Sequence, residues 1–187
     1  MKRCMSIISL INSDLKRYSR GGNFLKCYIT IPGFKYTVFL RLIQCTEKRR
    51  WLFPLTILLK VKLLLMQRHY GIQIPSATRI GKGFYIGHYG TIIVNAKAII
   101  GDNVNISQGV TIGQANRGQH KGVPVIGNEV YIGPGAKIVG KVVIGNNVAI
   151  GANAVVTNDV PDNACVAGVP ARIINMRGAE GYVNNKA

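Results

Sequence analysis

From Ile74 onward, apolar residues fall at a fixed six-residue interval. The series runs Ile74, Ile80, Ile86 and Ile92, and after two extra residues Ile100, Ile106 and Ile112. A longer interruption follows, and the series resumes with Ile126, Ile132, Ile138, Ile144, Ile150 and Val156. Glycine follows most of these, as in IGKG, IGHY, IGDN, IGQA, IGNE, IGPG, IGNN and IGAN. Self-similarity at a fixed period means stacked structural units that share one continuous apolar interior. Each hexad supplies a short strand, one inward aliphatic side chain, and a corner of Gly, Asn or Asp residues that tolerate positive φ. Three hexads close one triangular coil.

Residues 1–73 carry no hexads. SDLKRYSR and residues 36–68 predict several short helices, broken at Gly21-Gly22, Pro32-Gly33 and Pro54. The last ten residues are polar and are expected to fray. The pattern thus divides the chain into a helical N-terminal domain (1–73), a repeat domain (74–175) and a flexible tail (176–187).

Charge sharpens this division. The net charge is +17, and residues 1–75 hold fourteen Lys/Arg against Asp14 and Glu47, a balance of +12. The N-terminal domain therefore points to an acidic partner surface. No zinc-finger, RNP or helix-turn-helix signature accompanies the charge, so nucleic acid is not expected. An anionic membrane surface fits better: WLFPLTILLKVKLLLM follows the cluster Lys48, Arg49, Arg50. Sixteen residues with Lys60 and Lys62 inside are too short and too charged for a confident span. These lysines lie about 200° apart on a helical wheel, which does not give a clean amphipathic helix. A helix packed on its own domain or on a neighbouring subunit is the other reading. Four cysteines without metal spacing and the absence of a signal-peptide cleavage pattern predict a cytoplasmic chain.

The hexads resemble those of the hexapeptide-repeat acyltransferases. That resemblance implies a left-handed parallel β-helix and a homotrimer; general connection rules alone favour the opposite hand. Residues 70–174 resemble the catalytic domain of serine O-acetyltransferases. GHYGTIIVN stands where they carry DHxxGIVV, SQGVTIG where they carry QSVTLGG, and VAGVPARI where they carry AGVPARI. The resemblance makes His88 the general base that takes a proton from an alcohol as it attacks the thioester of acetyl-CoA. An imidazole suits that transfer, which contributes roughly 10²–10⁴-fold. His69, His88 and His120 do not match the spacing of the zinc-binding carbonic anhydrases that share this fold, so no metal is expected.

Three departures bear on the acceptor. Gly87 replaces the Asp before the histidine, and Gln73 replaces the Asp that orients the imidazole. An amide oxygen accepts a hydrogen bond but cannot stabilise an imidazolium as a carboxylate does. Val123 stands where the family's RHP motif supplies a second histidine, and His120 is the residue of the adjoining loop that could replace it. With the base kept and these charges gone, the sequence favours a saccharide acceptor. YGIQIP, IIVN and the NRG-containing loop also resemble O-acetyltransferases of bacterial capsule, O-antigen and exopolysaccharide pathways. Their acceptors are often lipid-linked at the inner membrane face, where a basic, apolar N-terminal segment would serve. Serine O-acetylation is the alternative, and a non-catalytic assembly solenoid is a third reading.

By the same resemblance, acetyl-CoA lies along the groove between neighbouring prisms. Gly113 and Gln114, Gly133 and Pro134, Gly151 and Ala152, and Gly168 are candidate contacts. Lys137, Lys141 and Arg172 are candidates for CoA phosphates, though a solvated surface charge explains each equally well. Residues 114–123 interrupt the repeat and are expected to wall the acceptor pocket, with Asn105 and Gln108 beside it.

Overall fold

The computed structural model describes residues 6–18 and 22–187. Four α-helices lead into the repeat: α1 (Ile7–Tyr18), α2 (Phe24–Thr30), α3 (Pro32–Thr46) and α4 (Phe53–Tyr70). Pro32 occupies the first turn of α3 and Pro54 that of α4, where a missing N–H costs nothing. Both prolines therefore start helices at the predicted breaks. The break expected at Gly21-Gly22 falls partly outside the described residues. Gly71, at φ +64°, caps α4 in the left-handed conformation and turns the chain into the first strand.

The repeat forms a left-handed parallel β-helix with three faces. The first face stacks Ile72–Gln73, Ile92–Val94, Thr111–Gly113, Lys137–Val139 and Val155–Val156. The second stacks Arg79–Ile80, Ile99–Ile100, Val125–Ile126 and Val143–Ile144. The third stacks Tyr85–Ile86, Asn105–Ile106, Tyr131–Ile132, Ala149–Ile150 and Cys165–Ala167, and ends in an antiparallel strand, Arg172–Asn175. One inward residue per strand fills the prism; Ile86, Ile112, Ile132, Ile138 and Ile150 are fully buried. Each such side chain contributes roughly 1.5–3 kcal/mol by leaving water.

The register corrects one detail of the sequence pattern. Ile72 pairs with Ile92, and Val94 pairs with Ile112, so Val94 rather than Ile92 continues the inward series. The two extra residues therefore lie between Ile86 and Val94, at the corner that carries His88. The corner between the second and third faces is regular by contrast. Side-chain oxygens of Asp102, Asn128, Asn146 and Asp162 each accept a backbone N–H from the coil before, at 2.6–2.9 Å. Asn103, Glu129, Asn147 and Asn163 follow them at positive φ.

The helices are fastened to the prism by a few buried polar groups. Asp14 accepts two hydrogen bonds from Arg41 (2.9 and 3.2 Å) and one from the Phe84 amide (2.8 Å). Burial raises the Asp14 carboxyl above its ordinary pKa, and the Arg41 guanidinium opposes that rise. Arg17 donates to the carbonyls of Gly83 and Asn184 and to Asn105 Oδ1. The Tyr36 hydroxyl donates to the Ile74 carbonyl and accepts from the Ile74 amide. Gly33 lets α3 lie directly on the third face, since a Cβ there would stand 2.4 Å from the Ile86 carbonyl oxygen.

The C-terminal residues differ from the frayed tail expected. Ala179 and Val183 pack against Ala149, Tyr182 stacks on Tyr131 at 4.4 Å, and the Ala187 amide donates to Asn103. The tail is polar in composition, but Ala179, Tyr182 and Val183 fall on the third face. Together with α1 it covers that face.

Candidate active site

His88 sits on the corner between the third and first faces, in the two-residue enlargement. It is exposed, as is Tyr89 after it. Gly90 (φ +111°) and Thr91 (φ +51°) make the return. A β-branched residue in the left-handed region carries strain, of order 1–3 kcal/mol, which surrounding contacts must hold. Those contacts come from both sides. The Ile92 amide donates to the Gly71 carbonyl, the Gly90 carbonyl accepts from the Gly109 amide, and Tyr89 packs edge-on against Tyr70 at 5.8 Å. The end of α4 thus supports the histidine corner from below, and the next coil supports it from above.

Gln73 lies exposed on the outward side of the first strand and pairs with Ile93, beside the same edge. No hydrogen bond joins it to His88. Beside Gly87 stands the Tyr85 ring, 3.1 Å from where a Cβ would be. Tyr85 stacks on Tyr18 at 4.5 Å with Arg17 over its face. An aspartate in place of Gly87 would need that ring to give by a few tenths of an ångström.

The predicted contacts fall on two different edges. Gly133 and Pro134, Gly151 and Ala152, and Gly168 lie on or beyond the His88 edge, one coil above another. Gly113, Gln114, Lys141, His120 and Val123 lie on the edge between the first and second faces. The loop is pinned there by paired hydrogen bonds between Ala115 and Gly122 and by the Lys141 amide donating to the His120 carbonyl. Within one chain the loop and His88 thus occupy separate edges.

Several candidates also have structural duties. A Cβ on Gly133 would stand 2.7 Å from the Ile150 carbonyl oxygen, so this glycine is needed for coil stacking whatever it binds. The Lys137 amine donates to the Gly109 carbonyl. Arg172 is exposed on the final strand. Asn105 is buried on the third face and its amide is taken up by Arg17 and the Tyr182 carbonyl, away from the histidine corner. Gln108 is different: one coil above that corner, its side-chain oxygen is buried without a hydrogen-bond partner among the described residues.

Residues 124–158 match the bacterial transferase hexapeptide (six repeats) family. The chain is 35% identical to a serine acetyltransferase of Helicobacter pylori over 143 residues, covering 76% of this chain and 81% of that protein. The chain belongs to the serine acetyltransferase family. It is also 35% identical to the Synechococcus elongatus serine acetyltransferase over 158 residues, 83% of this chain. It spans only 62% of that relative's length. Among solved structures, the serine acetyltransferase of Brucella abortus in complex with coenzyme A superposes with a TM-score of 0.75 at 31% identity, over 90% of this chain and 68% of that one.

This membership corrects the expectation of a saccharide acceptor in polysaccharide biosynthesis. The proteins matched along most of the chain are serine acetyltransferases. The inference from Gly87, Gln73 and Val123 failed for a physical reason. Missing charges weaken one way of holding an acceptor, but they do not specify a different acceptor.

Proposed function

We propose that the chain is an acetyl-CoA-dependent serine O-acetyltransferase, with His88 as general base. The observation that carries this reading is the exposed histidine on a strained, doubly supported corner of a serine acetyltransferase fold. The His88 imidazole accepts the proton of the serine hydroxyl as its oxygen attacks the thioester carbonyl. The tetrahedral intermediate then expels the CoA thiolate, which recovers that proton, leaving O-acetylserine and CoA. Gln73, beside the same edge but without a hydrogen bond to the ring, supplies no carboxylate to stabilise the imidazolium.

Acetyl-CoA lies along the His88 edge, over Pro134, Gly151, Ala152 and Gly168. The CoA complex of the Brucella abortus relative supports this co-substrate. The working unit is a homotrimer. Its support is the separation of the His88 edge from the loop edge, which makes a site with both a two-chain site. The uncovered faces also carry outward Ile93, Ile99, Val125 and Val143, 37–52% exposed in the single chain. His120 and Val123 then face the acceptor from the adjoining chain. The enzyme works in the cytoplasm, where acetyl-CoA is available.

The test is CoA release from acetyl-CoA with L-serine. Saturable, serine-dependent release is expected, and His88→Ala should lower kcat by about 10²–10⁴-fold without moving the thermal transition. No serine-dependent release from the correctly folded protein would overturn the reading of the acceptor. Equal rates in the variant would overturn the assignment of the base.

A further inference from the structure

We propose that α4 docks the enzyme on an anionic phospholipid surface, lying flat at the interface. This goes beyond the proposed reaction and does not depend on it. The helix buries one seam, Thr56, Leu63 and Met66, against its own chain. Opposite that seam runs an open, largely apolar stripe. Trp51, just before it, and Phe53 are 76% and 65% exposed, and Ile57, Leu58, Val61, Leu64 and Leu65 are 46–66% exposed. A patch of this continuity marks a binding surface rather than ordinary solvent contact. No helix among the described residues is long and apolar enough to cross a membrane, so the geometry is that of a helix lying on one.

The two lysines that spoiled the helical wheel explain the arrangement. At about 100° per residue, Ile57, Leu58, Val61, Leu64 and Leu65 all fall within the roughly 200° arc that runs from Lys60 to Lys62. The buried seam fills the remaining arc. Each lysine therefore stands at one margin of the exposed stripe, where its stem can follow the apolar surface and its ammonium can reach headgroups. Lys60 is ion-paired with Glu47 at 2.8 Å, whereas among the described residues no ion pair is formed by Lys62 or by Arg49, Arg50 and Arg68 at the helix ends. Beside Lys62, a groove of about 540 Å³ is lined by Tyr28, Lys35, His69 and Tyr70. It holds basic groups and no acid.

Charge selects the occupant. α4 contains no Asp or Glu, so a second copy laid on this face would bring Lys62, Arg68, Arg49 and Arg50 against their equivalents. A phosphate-rich surface complements both the apolar stripe and its basic margins, and each basic group near such a surface strengthens binding about fivefold. Because Gly71 and Tyr70 underlie the histidine corner, docking by α4 would hold that corner close to the lipid plane.

The full chain should be sedimented with vesicles of phosphatidylcholine alone and with vesicles containing about one quarter phosphatidylglycerol, at low and at roughly 0.5 M salt. Binding is expected to the anionic vesicles only, and to weaken in high salt. Val61→Glu with Leu65→Glu should lower the partition coefficient more than tenfold, and Lys62→Gln about fivefold, with CoA release and light-scattering mass unchanged. Wild-type protein that stays in the supernatant of anionic vesicles would overturn the proposal. So would a double variant that still binds lipid, or one that changes the oligomer mass, which would make this face a contact between copies. If the double variant misfolds, Lys62→Gln and the salt series decide the matter.

Discussion

An interior position of the β-helix such as Ile112 meets equivalent residues in the coils before and after it, Val94 and Ile138. An interior position of the helical segment has no equivalent elsewhere. Arg41 is held by Asp14 and by the Ile80 and Gly81 carbonyls, and among the described residues no second site repeats that pattern. The prism thus draws its stability from many similar apolar contacts, each replaceable in kind. The helices depend on a few buried polar junctions whose partners are unique. Function divides the same way: the proposed chemistry lies on the repeat, and the proposed lipid-docking stripe lies on the helices.

Breaking the Asp14–Arg41 junction should have the largest effect. Asp14→Ala leaves a buried guanidinium without its carboxylate and should cost about 3–5 kcal/mol. In urea titrations followed by circular dichroism, the helical signal should be lost before the β signal. Simultaneous loss of both would mean that the two regions form one cooperative unit. Next comes the stack itself: Ile112→Ala should cost about 3 kcal/mol through lost burial and a residual cavity. Here the β transition should move, together with the helices that rest on it. Gly33→Ala probes the seam between the regions and should cost about 2 kcal/mol, because the new methyl group must push α3 off the Ile86 carbonyl.

The smallest effect is one of pH. Burial holds the Tyr18 phenol well above its ordinary pKa. In the unfolded chain that phenol ionises near pH 10, while in the fold it keeps its proton. Above that pH the native state binds more protons, so stability should fall as pH rises, by up to about 1.4 kcal/mol per unit. Urea midpoints measured between pH 9 and pH 11 should show the decline, and Tyr18→Phe should flatten it.

The hexads announced the prism because each hexad must place one aliphatic residue inward at a fixed spacing. His88 was singled out because it stands in a motif that resembles one of a known family. The placement of the extra residues was not. Ile92 and Val94 are both buried, and only strand pairing decides which continues the series. The acceptor was misread because absent charges at positions 73, 87 and 123 say nothing about other groups that can bind serine. The orphaned oxygen of Gln108 was invisible for a related reason. It is defined by what the surrounding coils bring to it.

By itself the sequence determined the period, the interior and the two-part organisation, and it singled out one histidine as a candidate. All follow from local spacing, where a residue's type and its distance along the chain suffice. The tertiary structure alone decided that the tail covers the third face, that Asn105 holds Arg17 and the tail, and that the loop and the histidine stand on separate edges. It also turned two inconvenient lysines into the margins of an open apolar stripe. A helical wheel gives relative angles along α4, but only packing against the rest of the chain fixes which arc is buried and which is left to meet a partner.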